Sequence, residues 1–310
     1  MLDDNNITSV KDISTAVINT NTVKVLNMWN NDLTSQEASA ISDMMTCLEE
    51  LYISDNKLGD DGAVIISKGI TETNTLRVLT IGVNNITSTG AIAIANSLLH
   101  NTSLEELDMR FNAIGQDGAT AIAQAITNNK TLKKLIINKC EITSTGATAI
   151  ANSLLHNTSL EVLDMNWNAI GKDGATAIAQ AITNNKTLKK LNINRCEITS
   201  TEATAIANSL LHNTSLEELQ LSYNAMGKDV ATAIAHAITN NKTLKELYLC
   251  GGTIDEQSAV IIMRSLHHNN SITKLYLLYR LVDNDNVKRE VEHINRRRRK
   301  SNVQELLLYN

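Results

Sequence analysis

The sequence predicts an α/β solenoid, and three observations predict it. A pattern LxxLxLxx(N/C)x(L/I) starts at Val23, Leu48, Leu76, Leu104, Leu132, Leu160, Leu188, Leu216, Leu244, Ile272 and Val303. Every step from Leu48 to Ile272 is 28 residues; the first step is 25 and the last 31. Each opening alternates apolar and polar residues, as in Leu104–Glu105–Glu106–Leu107–Asp108–Met109, the period of a short strand with one buried face. Each then runs into a segment such as GATAIAQAITNN, whose Ala and Ile recur at three and four residues, the period of a helix. One strand and one helix in 28 residues enclose no core of their own. Repeats of that size bury their apolar faces only by stacking.

In chain order, residues 1–22 read as the trailing helix of an incomplete repeat, with Ile13, Ala16 and Val17 on its apolar side. Residues 23–282 hold about ten repeats. Within them Glu202 and Val230 replace the glycines seen at Gly146 and Gly174, which predicts slightly different turns there, and Gly252 and Arg280 take the Asn/Cys slot. Residues 283–310 read as a cap: an amphipathic helix (Val287, Val291, Ile294), the basic cluster Arg296–Lys300, and a strand-like VQELLLYN.

Composition excludes several classes. The 310 residues suffice for a sizeable core, with 43% hydrophobic residues and no proline. Thirty-three acids against 28 bases give a charge of −5, which argues against a nucleic-acid partner. No run approaches the roughly 20 apolar residues of a membrane helix. MLDDNNITSVKD lacks the basic start and apolar stretch of a signal peptide, so a cytoplasmic monomer with four free thiols is expected. The Arg296–Lys300 cluster complements a helix dipole at its C-terminal end; a nuclear address is the alternative reading.

Catalytic and metal motifs are missing. Gly171–Lys172 and Gly227–Lys228 are each followed by Asp rather than Ser or Thr, so there is no phosphate loop. HExxH, GxSxG and CxxC do not occur. No enzyme activity, no cofactor and no metal are expected. His100, His156, His212 and His268 recur every 56 residues, two strands apart and too distant to share an ion. Cys140 and Cys196 fill the Asn/Cys slot as inert buried thiols. The seven N-x-S/T triplets from Asn101 to Asn269, 28 residues apart, read as the turn into each next strand rather than as glycan acceptors.

The run NxxLxxLxLxxNxIGxDGAxAIAxAI, with its alternation of an Asn repeat (from Asn112) and a Cys repeat (from Cys140), resembles the ribonuclease-inhibitor-like leucine-rich repeat. That class includes ribonuclease inhibitor, the receptor ends of NOD-like receptors and the GTPase-activating protein of Ran. The resemblance covers about residues 23–282. It implies a leucine-rich-repeat solenoid in a horseshoe arc, parallel strands on the concave face and helices on the convex face. It also implies a non-enzymatic protein-recognition module or scaffold, in NOD-like-receptor-type sensing or regulation.

The strand positions between the leucines locate the site. All nine aromatic residues, Trp29, Tyr52, Phe111, Trp167, Tyr223, Tyr248, Tyr276, Tyr279 and Tyr309, fall there and none falls on a helix-period segment. Alternation sends these positions to the concave face, where aromatics mark an interface. Phe111, Trp167, Tyr223 and Tyr279 share one slot two repeats apart, with Lys139 and Arg195 between them, which predicts cation–π contacts. Asp108, Arg110 and Asp164 lie on the same face. The flanking ladder Glu105–Glu106, Lys133–Lys134, Glu161, Lys189–Lys190, Glu217–Glu218 reads as support for strand register.

The repeats also report on themselves. Residues 76–131 and 132–187 differ at 12 of 56 positions, eight of them among the ten concave ones. Residues 132–187 and 188–243 differ at 11, six of them concave. A scaffold copied with little change while its strand face diverged reads as a diversified binding face. A protein partner bound there is the function expected. A GTPase-activating protein similar to that of Ran is one alternative, weakened by the basic C-terminal cluster. A nucleic-acid or anion binder using the aromatic–basic stripe is the other.

Overall fold

The computed structural model describes residues 9–252, 254–277, 279–301 and 304–309, with Tyr279 and Arg280 described by backbone alone. It divides into two compact units, Met1–Leu163 and Asp164–Asn310. The first carries α1 (Val10–Thr20), β1 (Val25–Asn27), α2 (Ala38–Met44), β2 (Glu50–Tyr52), α3 (Gly59–Glu72) and β3 (Val78–Thr80). It continues with α4 (Ser88–Leu98), β4 (Glu106–Asp108), α5 (Gly115–Asn128), β5 (Lys134–Ile136) and α6 (Ser144–Leu154), and the division falls within β6 (Val162–Asp164). The second carries α7 (Gly171–Asn184), β7 (Lys190–Asn192), α8 (Ser200–Ser209), β8 (Glu218–Gln220), α9 (Lys228–Asn240) and β9 (Glu246–Tyr248). It ends with α10 (Glu256–Ser265), β10 (Lys274–Tyr276), α11 (Tyr279–Val282), α12 (Asp285–Lys300) and β11 (Leu307–Tyr309).

Within each unit, consecutive strands pair parallel and in order, as in Glu106↔Lys134 and Glu218↔Glu246. This is the α/β solenoid that the 28-residue period demands. The leucine slots form the core: Leu104, Leu107 and Met109 are fully buried, as are Ile114 and, on the following helix, Ala119, Ile122 and Ile126. The small alanines let helices pack closely. A Cβ at Gly118 would stand 2.9 Å from that of Ala91 on α4, so α5 and α4 approach to glycine distance.

Two buried ladders tie the repeats together. Asn112 accepts from the amides of Asn84 and Ile86 and donates to the carbonyls of Ile81 and Met109. Asn56 and Asn224 make equivalent sets. In the Cys repeats the thiols of Cys140 and Cys196 donate to Met109 O and Met165 O instead. At the opposite end of the strand Asn101 donates to Ile70 O, and Asn157 to Ile126 O, 31 residues back. These are the triplet asparagines, buried and fully engaged, so the triplets are structural.

Two features, in α1 and at the C-terminal end, differ from the sequence reading, and Val230 and Glu202 are the positions where it expected altered turns. In α1 the buried side is Val10, Ser14 and Val17, with Ala16 exposed, because the helix presents a narrower stripe than its apolar residues suggest. At Val230 the helix starts one residue later, at Lys228, and Gly227 leaves the left-handed region that Gly171 occupies at φ +59. Glu202 is buried at the start of α8, where the hydroxyl of Thr199 donates to its carboxylate, a side-chain bond in place of a glycine. At the C-terminal end Leu308, not Leu306, pairs with Leu275, two residues beyond the register set by a repeat starting at Val303. That residue itself lies outside the described residues. The cause is Asn295 of α12, which donates to Leu306 O and accepts from Leu306 N at 2.7 Å.

The basic cluster is equally partitioned. Arg298 is fully buried, donating to Asn269 O and Gln304 O, and burial lowers its pKa to about 10. Arg297 donates to Asn270 and Arg299 reaches Glu305. Much of the cluster is therefore structural.

Candidate functional site

The strands are three residues long, and the backbone hydrogen-bond ladder continues past them. Phe111 N bonds Asn138 O, Trp167 N bonds Asn194 O, Arg195 N bonds Ser222 O and Tyr223 N bonds Cys250 O, at 2.7–3.0 Å. Residues in this slot have turned into the left-handed region: in the first unit Asn30 (φ 54), Asp55 (59), Val83 (52), Phe111 (56) and Lys139 (50). In the second unit Trp167 (58), Arg195 (52), Tyr223 (59) and Gly251 (75) do the same. This corrects the expectation that Phe111, Trp167 and Tyr223 sit at alternating strand positions. They sit on a turn at the C-terminal rim of the strands, aimed at solvent because the left-handed turn redirects the Cα–Cβ bond.

In the first unit Phe111 is 45% exposed and the Lys139 ammonium lies 4.8 Å from its ring centroid. In the second unit Arg195 is held between two rings, its guanidinium carbon 4.2 Å from the Trp167 centroid and 4.1 Å from that of Tyr223. Trp167 and Tyr223 are 52% and 50% exposed. The far side of Tyr223 lies across Gly251, where any Cβ would stand 2.4 Å from the ring. Glycine there is both the left-handed residue and the floor for the tyrosine.

The other aromatics form separate groups. Trp29, Tyr52, Val83, Asp108 and Arg110 line a shallow cavity of about 290 Å³ in the first unit. Trp29 is exposed; the Tyr52 hydroxyl donates to Glu50, which raises its pKa to about 12. Arg110 lies across Gly82, whose missing Cβ would meet the arginine Cγ at 2.8 Å, and bonds Asp108 through Nε at 2.7 Å. Asp108 is thus buried and spent on orienting Arg110, not exposed as the strand pattern suggested. Asp164 likewise accepts from Asn166 and Asn192. In the second unit Tyr248 stacks on Tyr276 at 3.8 Å, and Tyr276 on Tyr309 at 4.7 Å. Tyr279 does not join a strand row: its backbone opens α11, and its side chain lies outside the described residues.

The charged ladder is self-paired, as its alternation implied. Glu105 meets Arg77 and Lys133, Glu106 meets Lys134, Glu218 meets Lys190, and Glu246 meets Lys274, at 2.6–2.8 Å. Burial pushes the thiols of Cys140 and Cys196 up to about 12, so neither is a nucleophile. Cys47, Cys140, Cys196 and Cys250 form no disulfide. Among the described residues no three His, Cys, Asp or Glu side chains gather as a metal site would need, and no helix is long and apolar enough to cross a membrane.

The sequence reading missed Val83 and Gly251 as members of the rim row. A signal was present: the same slot reads Asn30, Asp55 and Gly251 in other repeats, residue types that favour a left-handed turn.

Seven consecutive segments, 45–67, 73–95, 100–123, 128–151, 156–179, 184–207 and 212–235, match the Leucine Rich repeat model and together cover more than half of the chain. No curated protein sequence matches. Among solved structures, Leiomodin-1 Actin-Binding Site 2 is similar at 24% identity and a TM-score of 0.42, over 49% of this chain and 91% of that one.

Proposed function

The chain belongs to the leucine-rich-repeat family, and from that premise we propose that it is a non-enzymatic protein-recognition module whose partner binds the strand-side rim. One observation carries this reading. Bulky side chains occupy a left-handed slot at Val83, Phe111, Trp167 and Tyr223. An L-residue there costs roughly 1–2 kcal/mol relative to glycine. Burial does not offset that cost, since these side chains are about half exposed. Asparagine and glycine serve the same turn at Asn30 and Gly251. Strain retained under exposed aromatics is what a binding surface requires and a scaffold does not.

The internal divergence of the repeats agrees, since Phe111, Trp167 and Tyr223 differ while the buried Asn112, Asn168 and Asn224 do not. Each unit offers its own anchors: Trp29, Tyr52, Arg110 and Phe111 in the first, Trp167, Arg195 and Tyr223 in the second. The test is capture of partner proteins by the intact chain. Trp167→Ala should weaken capture by roughly 2 kcal/mol, whereas Gln180→Ala on α7 should not change it. Loss through Gln180 with retention through Trp167 and Tyr223 variants would place the binding surface on the helices.

A further inference from the structure

Arg195 is built to receive a carboxylate. A guanidinium carries five N–H donors in its own plane and none on its faces. Here both faces are covered, by Trp167 at 4.2 Å and Tyr223 at 4.1 Å, and Tyr223 is itself seated on Gly251. The side chain is therefore held flat, its in-plane edge directed to solvent. Among the described residues no carboxylate or carbonyl meets that edge. The neighbouring cations are all satisfied: Lys190 pairs with Glu218, Lys245 with Glu217 and Lys274 with Glu246. The nearby amide is satisfied too, Asn194 donating to Gln220 and accepting from Ser222 N. On this part of the strand side Arg195 is the donor group left unanswered.

We propose that Arg195, clamped between Trp167 and Tyr223, binds the side-chain carboxylate of an Asp or Glu in an extended segment of a protein partner. Residues flanking that acid are uncharged and cover the exposed parts of the two rings. This rests on the strand-side reading above and deepens it by naming the partner's chemistry. A carboxylate matches the guanidinium fork with two parallel bonds. Immobilising the arginine beforehand removes the rotamer cost that a free surface arginine would meet on binding. A single-stranded nucleic acid fits less well. It holds its bases on open aromatic faces, but the faces turned toward each other in this stack are filled by Arg195.

The experiment is a selection of random twelve-residue displayed peptides on the full chain. Enriched sequences are resynthesised with each Asp or Glu changed to Asn or Gln, and titrated against the parent, Arg195→Gln, Arg195→Lys and Trp167→Ala. Melting curves confirm that each variant is folded. The proposal expects an enriched acid flanked by uncharged residues, and an affinity loss of about tenfold or more when that acid is neutralised. Arg195→Gln should bind acidic and neutralised peptides alike, and Arg195→Lys should recover only part of the loss. Enriched peptides that depend on Trp167 but carry no required acid overturn the carboxylate assignment and leave the recognition surface standing. Peptides indifferent to both Trp167 and Arg195, or no enrichment, overturn both. Displacement of the peptides by a twelve-nucleotide oligothymidylate that itself needs Arg195 overturns the protein occupant in favour of a nucleic acid.

Discussion

Phe111 and Asn112 are consecutive, yet they belong to two regions governed by different physics. The slot of Asn112 is buried and bonded both to its own repeat and to the preceding one. It accepts only residues that can donate inward, so it reads Asn or Cys from Asn31 through Asn224. The slot of Phe111 is strained, exposed and bonded through its backbone alone. Over the same span it reads Asn, Asp, Val, Phe, Lys, Trp, Arg and Tyr. Satisfaction of buried polar groups fixes one position, and the absence of any such demand leaves its neighbour free for recognition.

That contrast breaks first at the ladder. Asn112→Ala removes the acceptor of the Asn84 and Ile86 amides and the donor to the Ile81 carbonyl, and should cost about 3 kcal/mol or more. Chemical denaturation of the variant against the parent measures it; a loss below 1 kcal/mol would mean that the ladder is not what joins the repeats.

The Cys members of the same slot sharpen the point with pH. Burial raises the folded Cys140 and Cys196 thiols to about 12, whereas an unfolded thiol has a pKa of about 8.5. With folded values raised, the protonated fold keeps its full stability below pH 8.5 and loses it as pH rises toward 12. Unfolding followed from pH 7 to 10 should show this decline, and it should shrink in Cys140→Ala. In folded protein at pH 8 both thiols should resist iodoacetamide. The rim should respond far less: Lys139→Ala removes one exposed cation–π contact, worth about 0.5–1 kcal/mol.

Much of the fold was legible because its determinants are periodic. The 28-residue step, the leucines of the core and the alanine-rich helices follow from spacing alone, and so does the pairing of Glu106 with Lys134 and of Glu218 with Lys190. The site was legible in its members more than in its geometry. Alternation predicts a strand through residue 111, but strands end at residues such as Asp108 because the next residues turn left-handed, a property of backbone angle rather than polarity. Alternation alone leaves Asp108 exposed, because nothing in one strand reveals that Arg110 will fold back across Gly82. The register of β11 was misplaced because the bond from Asn295 to Leu306 joins residues that no repeat relates. Tyr279 matched the slot by count, while its chain had already left the repeat for α11.

The most direct test of the central claim is Trp167→Asn, measured for stability and for binding to a partner or selected peptide. Asparagine tolerates the left-handed turn, so strain is relieved while the cation–π contact is lost. The melting temperature should stay within a few degrees of the parent, and affinity should fall roughly thirtyfold, about 2 kcal/mol. A variant that melts much earlier while binding as well as the parent would show that Trp167 holds the fold together, and that the strained rim is not the recognition surface.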